Sequence, residues 1–243
     1  ITLLGILMLG VVAKAEYLLI PMDDSQKDHL KAYGIAYSVL EFDIEVEWLL
    51  NYKGGAFMTV YYEDFEKLCL LRGVGYQKIS DTKAQTIRDE IENPVVNASI
   101  VKLLTAPKIA VYTPTSAQPW DDAVTMVLEY AEIPYEKVFD DEVLRGDLPL
   151  YDWLHLHHED FTGQYGKFYA HYRNAPWYKE QVKEAEDMAA KHGFEKVSEL
   201  KLAVAKKTRD FTLGGGFLVA ICSATDSYDI DLAGDAVDLW EEM

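Results

Sequence analysis

Residues 214–226 read GGGFLVAICSATD, and how the parts of this stretch join decides the fold. Three glycines close a helix-like segment, and FLVAI (217–221) is the most hydrophobic strand candidate in the chain. Cys222 then opens a turn of small residues, Ser223, Ala224 and Thr225. A continuous apolar run between helices reads as a strand covered on both faces, the usual state of a strand in a parallel sheet. Upstream, helix-like text over 199–213 and 176–192 leads back to YDWLHL (151–156), and a short strand at 135–138 follows helical spacing over 121–131. KIAVY (108–112) opens that series after Pro107. Strands separated by helices are βαβ units, and their connections enforce parallel pairing.

The N-terminal half carries similar text. YLLIPM (17–22) and VEWLL (46–50) read as strands, with helices over 26–40, 63–72 and 83–92 and a strand at 76–79. Asp24 and Ser25 are candidate helix caps, Gly73 a helix stop, and Asn93-Pro94 a break. The expected fold class is therefore α/β: a doubly wound, mainly parallel sheet with helices on both faces, preceded by an N-terminal α/β segment. The expected division is 1–15, 16–106 and 107–243.

Residues 1–12 (ITLLGILMLGVV) form an uncharged apolar run followed by Ala13-Lys14-Ala15. An h-region before an A-x-A site reads as a secretory signal peptide, too short to span a bilayer, so the expectation is an exported chain starting near Glu16 with no membrane span. Both ends read as cut, since no initiator Met precedes the apolar run and residues 232–243 carry no stop signal.

Composition narrows the partners. The 243 residues carry Lys+Arg 23 against Asp+Glu 41, a formal net charge of −18, with 49% hydrophobic residues. That is a globular composition, and its acidity argues against nucleic acid or anionic membrane as partner, because no basic surplus exists to displace counterions. Cys69 and Cys222 are too few for a disulfide framework.

In an open parallel sheet, sites form beyond the C-terminal ends of strands. Cys222 ends one such strand, in the layout of a nucleophile elbow, where backbone N–H groups including that of Ser223 lower a thiol pKa and bind an oxyanion. A small buried cysteine closing a core strand is the competing reading. The second strand end is His155-Leu156-His157-His158-Glu159-Asp160. His155 and His157 share one face of the strand, and five ionisable groups in six positions are costly to bury unless paired or used. The metallo-β-lactamase pattern H-x-H-x-D-H is not met, because Glu159 and Asp160 stand where it needs Asp and His, so no metal is expected. The candidate catalytic residues are Cys222, His155, His157, His158 and Glu159; the candidate oxyanion or ligand-binding residues are Ser223, Gly215, Gly216 and Asp160. Asp121 and Asp122 read as a helix N-cap.

On KIAVY, YDWLHLHHEDF (151–161) and GGGFLVAICSATD, residues 108–226 look like a class I glutamine amidotransferase-like, flavodoxin-like domain. More closely, LIPMDDSQKDHLKAYGIAY (19–37), WLLNYKGG (48–55), YDWLHLHHEDFTGQYGKFY (151–169) and GGGFLVAICSATD resemble exported Bacteroidetes proteins labelled asparagine synthetase B. The resemblance implies a Cys-dependent amide hydrolase or amidotransferase, with a small-molecule or peptide-like amide as ligand and no cofactor. A glutamine-hydrolysing asparagine synthetase has an N-terminal nucleophilic Cys and an S-G-G-x-D-S loop; this chain has neither. The rival expectation is a non-catalytic ligand-binding module with the histidine-rich crevice as its site.

Overall fold

The computed structural model describes residues 16–114, 122–157, 159–163, 169 and 171–235. The proposed signal peptide at 1–15 therefore lies outside the described residues. The chain divides into two compact units, one reaching Ala106 and taking in Tyr130–Ile133, the other holding Pro107–Glu129 and everything from Pro134.

The first unit runs β1 (Glu16–Ile20), α1 (His29–Leu40), β2 (Val46–Leu50), β3 (Ala56–Val60), α2 (Glu63–Arg72), β4 (Gln77–Ser80), α3 (Asp81–Ile91) and β5 (Ser99–Leu103). Its sheet has the order β4-β1-β3-β2-β5, and every pairing in it is antiparallel. This corrects the expectation of a mainly parallel sheet for this half. The cause is β3, which has no helix before it: residues 51–55 turn the chain straight back from β2, and a tight connection permits only antiparallel pairing. Gly54 makes that turn possible, since at φ +75 a Cβ there would sit 2.3 Å from the Met22 carbonyl oxygen. The strand alternation is plain in β1: Leu18 and Ile20 pack with Ile35, Val39 and Phe65 of α1 and α2, whereas Leu19 packs with Ala84 and Ile87 of α3. Asp28, not Asp24 or Ser25, caps α1, accepting the Lys31 backbone N–H at 3.0 Å.

The second unit runs β6 (Ile109–Tyr112), α4 (Ala123–Ala131), β7 (Glu136–Val138), α5 (Asp140–Arg145), β8 (Trp153–Leu156), α6 (Pro176–Lys191), α7 (Val197–Leu213), β9 (Phe217–Ala220) and α8 (Ser223–Ala233). The sheet order is β7-β6-β8-β9, all parallel. The chain steps from β6 outward to β7 and then returns to β8 on the other side of β6, which makes the β6/β8 gap a topological switch point. Ala110, Tyr112, Leu154 and Leu156 point to one face, packing with Val143 of α5, Val204, Ala205 and Phe211 of α7, and Ala224 of α8. Ile109, Trp153 and His155 point to the other, toward Ala123, Val124, Val127 and Leu128 of α4. Leu154, Leu156, Tyr112 and Phe161 are fully buried, each adding roughly 1.5–3 kcal/mol of apolar burial.

A charged group lies inside this core. Lys201 Nζ of α7 donates to both Asp140 carboxylate oxygens at 2.8 Å and to the Tyr112 hydroxyl at 3.0 Å, and that hydroxyl donates to Asp140. Asp140 and Lys201 are both buried, so each is tolerated only because the other is present. Among the described residues no helix is long and apolar enough to cross a membrane.

Candidate active site

Three strands that are neighbours in the sheet supply the candidates at their C-terminal ends. The segment after β6 supplies Asp122, the end of β8 supplies His157, and the end of β9 supplies Cys222.

Cys222 is exposed and free, and it sits immediately before the first turn of α8. Its backbone is at φ 54, ψ −142, a conformation that costs a non-glycine residue about 1–3 kcal/mol. The sequence explains the placement: an apolar strand carries residues up to Ala220 into the sheet, and α8 begins at once, burying Ala224 in the same core that Leu218 and Ala220 pack against. The reversal falls on Cys222. The Ala224 backbone N–H donates to the His157 carbonyl at 3.3 Å, and Ile221 N–H donates to the Leu156 carbonyl at 3.0 Å, tying the two strand ends together. Ser223 is the first helical residue, so its backbone N–H belongs to the positive end of α8.

The His157 ring lies with Nδ1 3.2 Å from Asp122 Oδ2. Asp122 is only 4% exposed and its other carboxylate oxygen caps α4, accepting from Val124 N–H at 2.6 Å and Thr125 N–H at 3.3 Å. Burial opposes its charge, but the Val124 N–H, the His157 ring and the Thr125 N–H outweigh burial and hold the carboxyl below the usual range. The N-cap role of Asp122 was readable from sequence; its partnership with a histidine 35 residues downstream was not.

The other candidates fall as follows. His155 is on the same strand face as His157 but one step deeper, buried, with both ring nitrogens lacking a hydrogen-bond partner. Burial pushes its pKa down, His157 pushes the same way and Asp122 opposes. His158 lies outside the described residues, as do 164–166 of the GQYG loop. Glu159 Oε2 accepts the His157 backbone N–H at 3.3 Å and the Glu159 carbonyl accepts from Ser227 Oγ at 3.0 Å, which fixes the loop after β8. Asp160 is turned onto its own loop, accepting from Thr162 N–H at 2.9 Å and Oγ1 at 2.6 Å. Near it, the Asp231 carboxyl is pushed up to about 7 by burial and by the charge of Asp160.

Gly215 and Gly216 are corrected. They form the turn from α7 into β9, at the N-terminal end of the strand, roughly 20 Å of extended chain from Cys222. Gly215 supplies a turn at φ +103 and Gly216 lies against the Phe211 ring, so the glycines serve the chain reversal and not an oxyanion. A recess of about 520 Å³ is lined there by Leu148, Tyr151, Lys207 and Phe211, at the end of the sheet away from Cys222.

At the Cys222 end, a groove of about 340 Å³ is lined by Ile109, Val124, Val127 and Leu128 with Trp153, His155, His157 and Ile221. Among the described residues no group of three His, Cys, Asp or Glu is disposed to hold a metal ion. Compared with protein-family models, curated proteins and solved structures, the chain matches none.

Proposed function

We propose that the second unit is a flavodoxin-like, class I glutamine amidotransferase-like domain that hydrolyses or transfers an amide through Cys222. The observation that carries this reading is the backbone of Cys222: a thiol held exposed at a strand-to-helix turn, in a conformation that packing alone does not reward. The Cys222 sulfur attacks the amide carbonyl as His157 takes the thiol proton. With Nδ1–H donated to Asp122, the Nε2 lone pair is the base, and Asp122 stabilises the imidazolium that forms. The Ser223 N–H and the α8 dipole bind the developing oxyanion. His157 then protonates the leaving amine, and water or an acceptor amine attacks the thioester to release the acyl group and restore the thiol. Export of the chain, read from residues 1–15, is part of the proposal; the asparagine synthetase label is not.

Amide cleavage followed by amine release from glutamine and simple primary amides tests it. Cys222→Ser and His157→Gln should each lower the rate by roughly 10²–10⁴-fold, and Asp122→Asn by a comparable factor, with unchanged folding. Wild-type activity that survives Cys222→Ser refutes it. The second reading, a non-catalytic binding module, draws on the groove and its partnerless His155; ligand binding with no turnover on any amide would favour it.

A further inference from the structure

The sheet of the second unit ends on an unprotected strand. No strand lies beyond β9 among the described residues, and all of β9 is exposed or half-buried, whereas β6 is buried throughout. A bare edge strand is a template for pairing with another chain, and proteins blunt such edges with charged side chains. The other three edges of the two sheets carry them: Lys78 in β4, Lys102 in β5, and Glu136 with Lys137 in β7. The FLVA of β9 has none. Its backbone is only half used. The Phe217 N–H donates to the Asp152 carbonyl at 2.9 Å and the Ile221 N–H to the Leu156 carbonyl at 3.0 Å, so the odd-numbered residues turn their amides toward β8. In a parallel ladder the alternate residues turn theirs away, which leaves the N–H and C=O of Leu218 and Ala220 at the free edge with no partner among the described residues. Cys222 stands two residues past Ala220.

We infer that the free edge of β9 takes up an extended peptide as an added strand, apolar on one face and basic on the other, and so presents a peptide bond to Cys222. Leu218 and Ala220 supply two backbone donors and two acceptors, the part of strand addition that is blind to sequence. Side-chain preference comes from the two faces of the sheet, between which successive residues of an added strand alternate. The face of Phe217 and Ile221 is apolar: Phe217 is 63% exposed and Ile221 39%, and the Phe217 ring stands edge to face with Trp153 at 6.2 Å. On the other face Leu218 and Ala220 pack into the core that holds Ala224 of α8. That helix has no basic residue and leaves Asp226 and Asp229 exposed, which suits lysine or arginine in the peptide. A formal net charge of −18 adds a general attraction for a cationic segment and repels a second copy of the chain. Register is specified, because a slip by one residue would set the basic side chains against Phe217. Resting on the catalytic reading above, the amide cleaved is then a backbone peptide bond. The Cys222 sulfur bonds the carbonyl carbon, the C–N bond breaks, the amine leaves with the thiol proton passed through His157, and water hydrolyses the thioester to a carboxylate and the free thiol.

The test uses the full chain carrying Cys222→Ser, so that binding is measured without turnover. The probe is a fluorescein-labelled hexapeptide alternating valine and lysine, followed by fluorescence anisotropy. N-methylation of all the valine amides, or of all the lysine amides, separates backbone pairing from side-chain attraction, because only one of the two sets faces β9. One set should weaken binding at least about tenfold and the other less than about threefold. Phe217→Ser, at a position already exposed and so tolerant of the change, should weaken it by about fivefold or more. Asp226→Asn with Asp229→Asn should lower the preference for this peptide over its valine–serine counterpart by roughly threefold. Equal effects of the two methylated sets, no binding of the peptide, a lysine preference unchanged by the two asparagines, or a dimer of the chain that Phe217→Ser disperses while no peptide binds, each overturns the inference. If the peptide binds as stated but the unsubstituted chain cuts no amide, the strand addition stands and the catalytic reading falls. If glutamine is turned over through Cys222 and the peptide is neither bound nor cut, the reverse holds.

Discussion

Replacing Cys222 by glycine should stabilise the protein, against the usual effect of glycine. At φ 54, ψ −142 any side chain with a Cβ is strained by about 1–3 kcal/mol, and glycine is not. Glycine loses about 0.4–1 kcal/mol more chain entropy than alanine on folding, which leaves a net gain of roughly 0–2.5 kcal/mol for Cys222→Gly over Cys222→Ala. Cys222 is exposed, so neither change opens a cavity. One other effect must be separated: helix N-caps prefer glycine to alanine whatever their strain. Ala175 supplies the control, since it caps α6 at an unstrained φ −67, ψ 136. Urea unfolding of the Cys222→Ala, Cys222→Gly and Ala175→Gly chains should show the alanine-to-glycine step at 222 more favourable than that at 175 by about 1–3 kcal/mol, the strain itself. Steps equal to within about 0.5 kcal/mol would mean that Cys222 is unstrained and that its geometry carries no functional argument.

Three further outcomes follow from the same structure. Lys201→Met, which strands Asp140 in the core, should cost about 3–5 kcal/mol in urea unfolding, and Asp140→Leu combined with it should recover most of the loss; additive losses would contradict a coupled pair. Asp231 has a raised pKa, so its stabilising contribution is complete below its unfolded value near 4 and is lost as pH rises to about 7. Asp231→Asn should therefore be more stable than the parent at pH 8, by at most about 4 kcal/mol, with the gap closing below about pH 4; a gap independent of pH would refute the assignment. Iodoacetamide should label Cys222 in the folded protein and reach Cys69, which is buried with its thiol pushed up to about 12, only after unfolding; equal labelling of both under native conditions would contradict the burial.

The second unit was far more legible in sequence than the first. FLVAI and KIAVY are apolar runs set off by helices, and their parallel pairing follows from connection length. In the first unit, β3 (AFMTV) hid because its first four residues are buried, so no polar alternation marked it, and β5 (SIVKL) hid because it is an edge strand with little burial. At the site, Cys222 was legible as a strand end followed by small residues, and His157 as part of a costly polar cluster. Glu159 and Asp160 lie next to the histidines in sequence, and proximity there does not select the acid that pairs with the His157 ring. The acid that does so, Asp122, comes from the neighbouring strand's connection, and only the β6-β8 pairing brings it within 3.2 Å. Gly215 and Gly216 misled for the opposite reason: near Cys222 in sequence, they are separated from it by the length of β9.

The central claim is that Cys222 is an acyl-transfer nucleophile served by His157. Its most direct test is peptide mass spectrometry of the full chain after brief incubation with an activated aryl ester such as p-nitrophenyl acetate. The account predicts one acetyl group on Cys222, formed within the first turnover, slowed at least about tenfold by His157→Gln and absent in Cys222→Ser. Acetylation spread over surface lysines with Cys222 unmodified, or an acetyl-Cys222 whose formation is indifferent to His157→Gln, would contradict it.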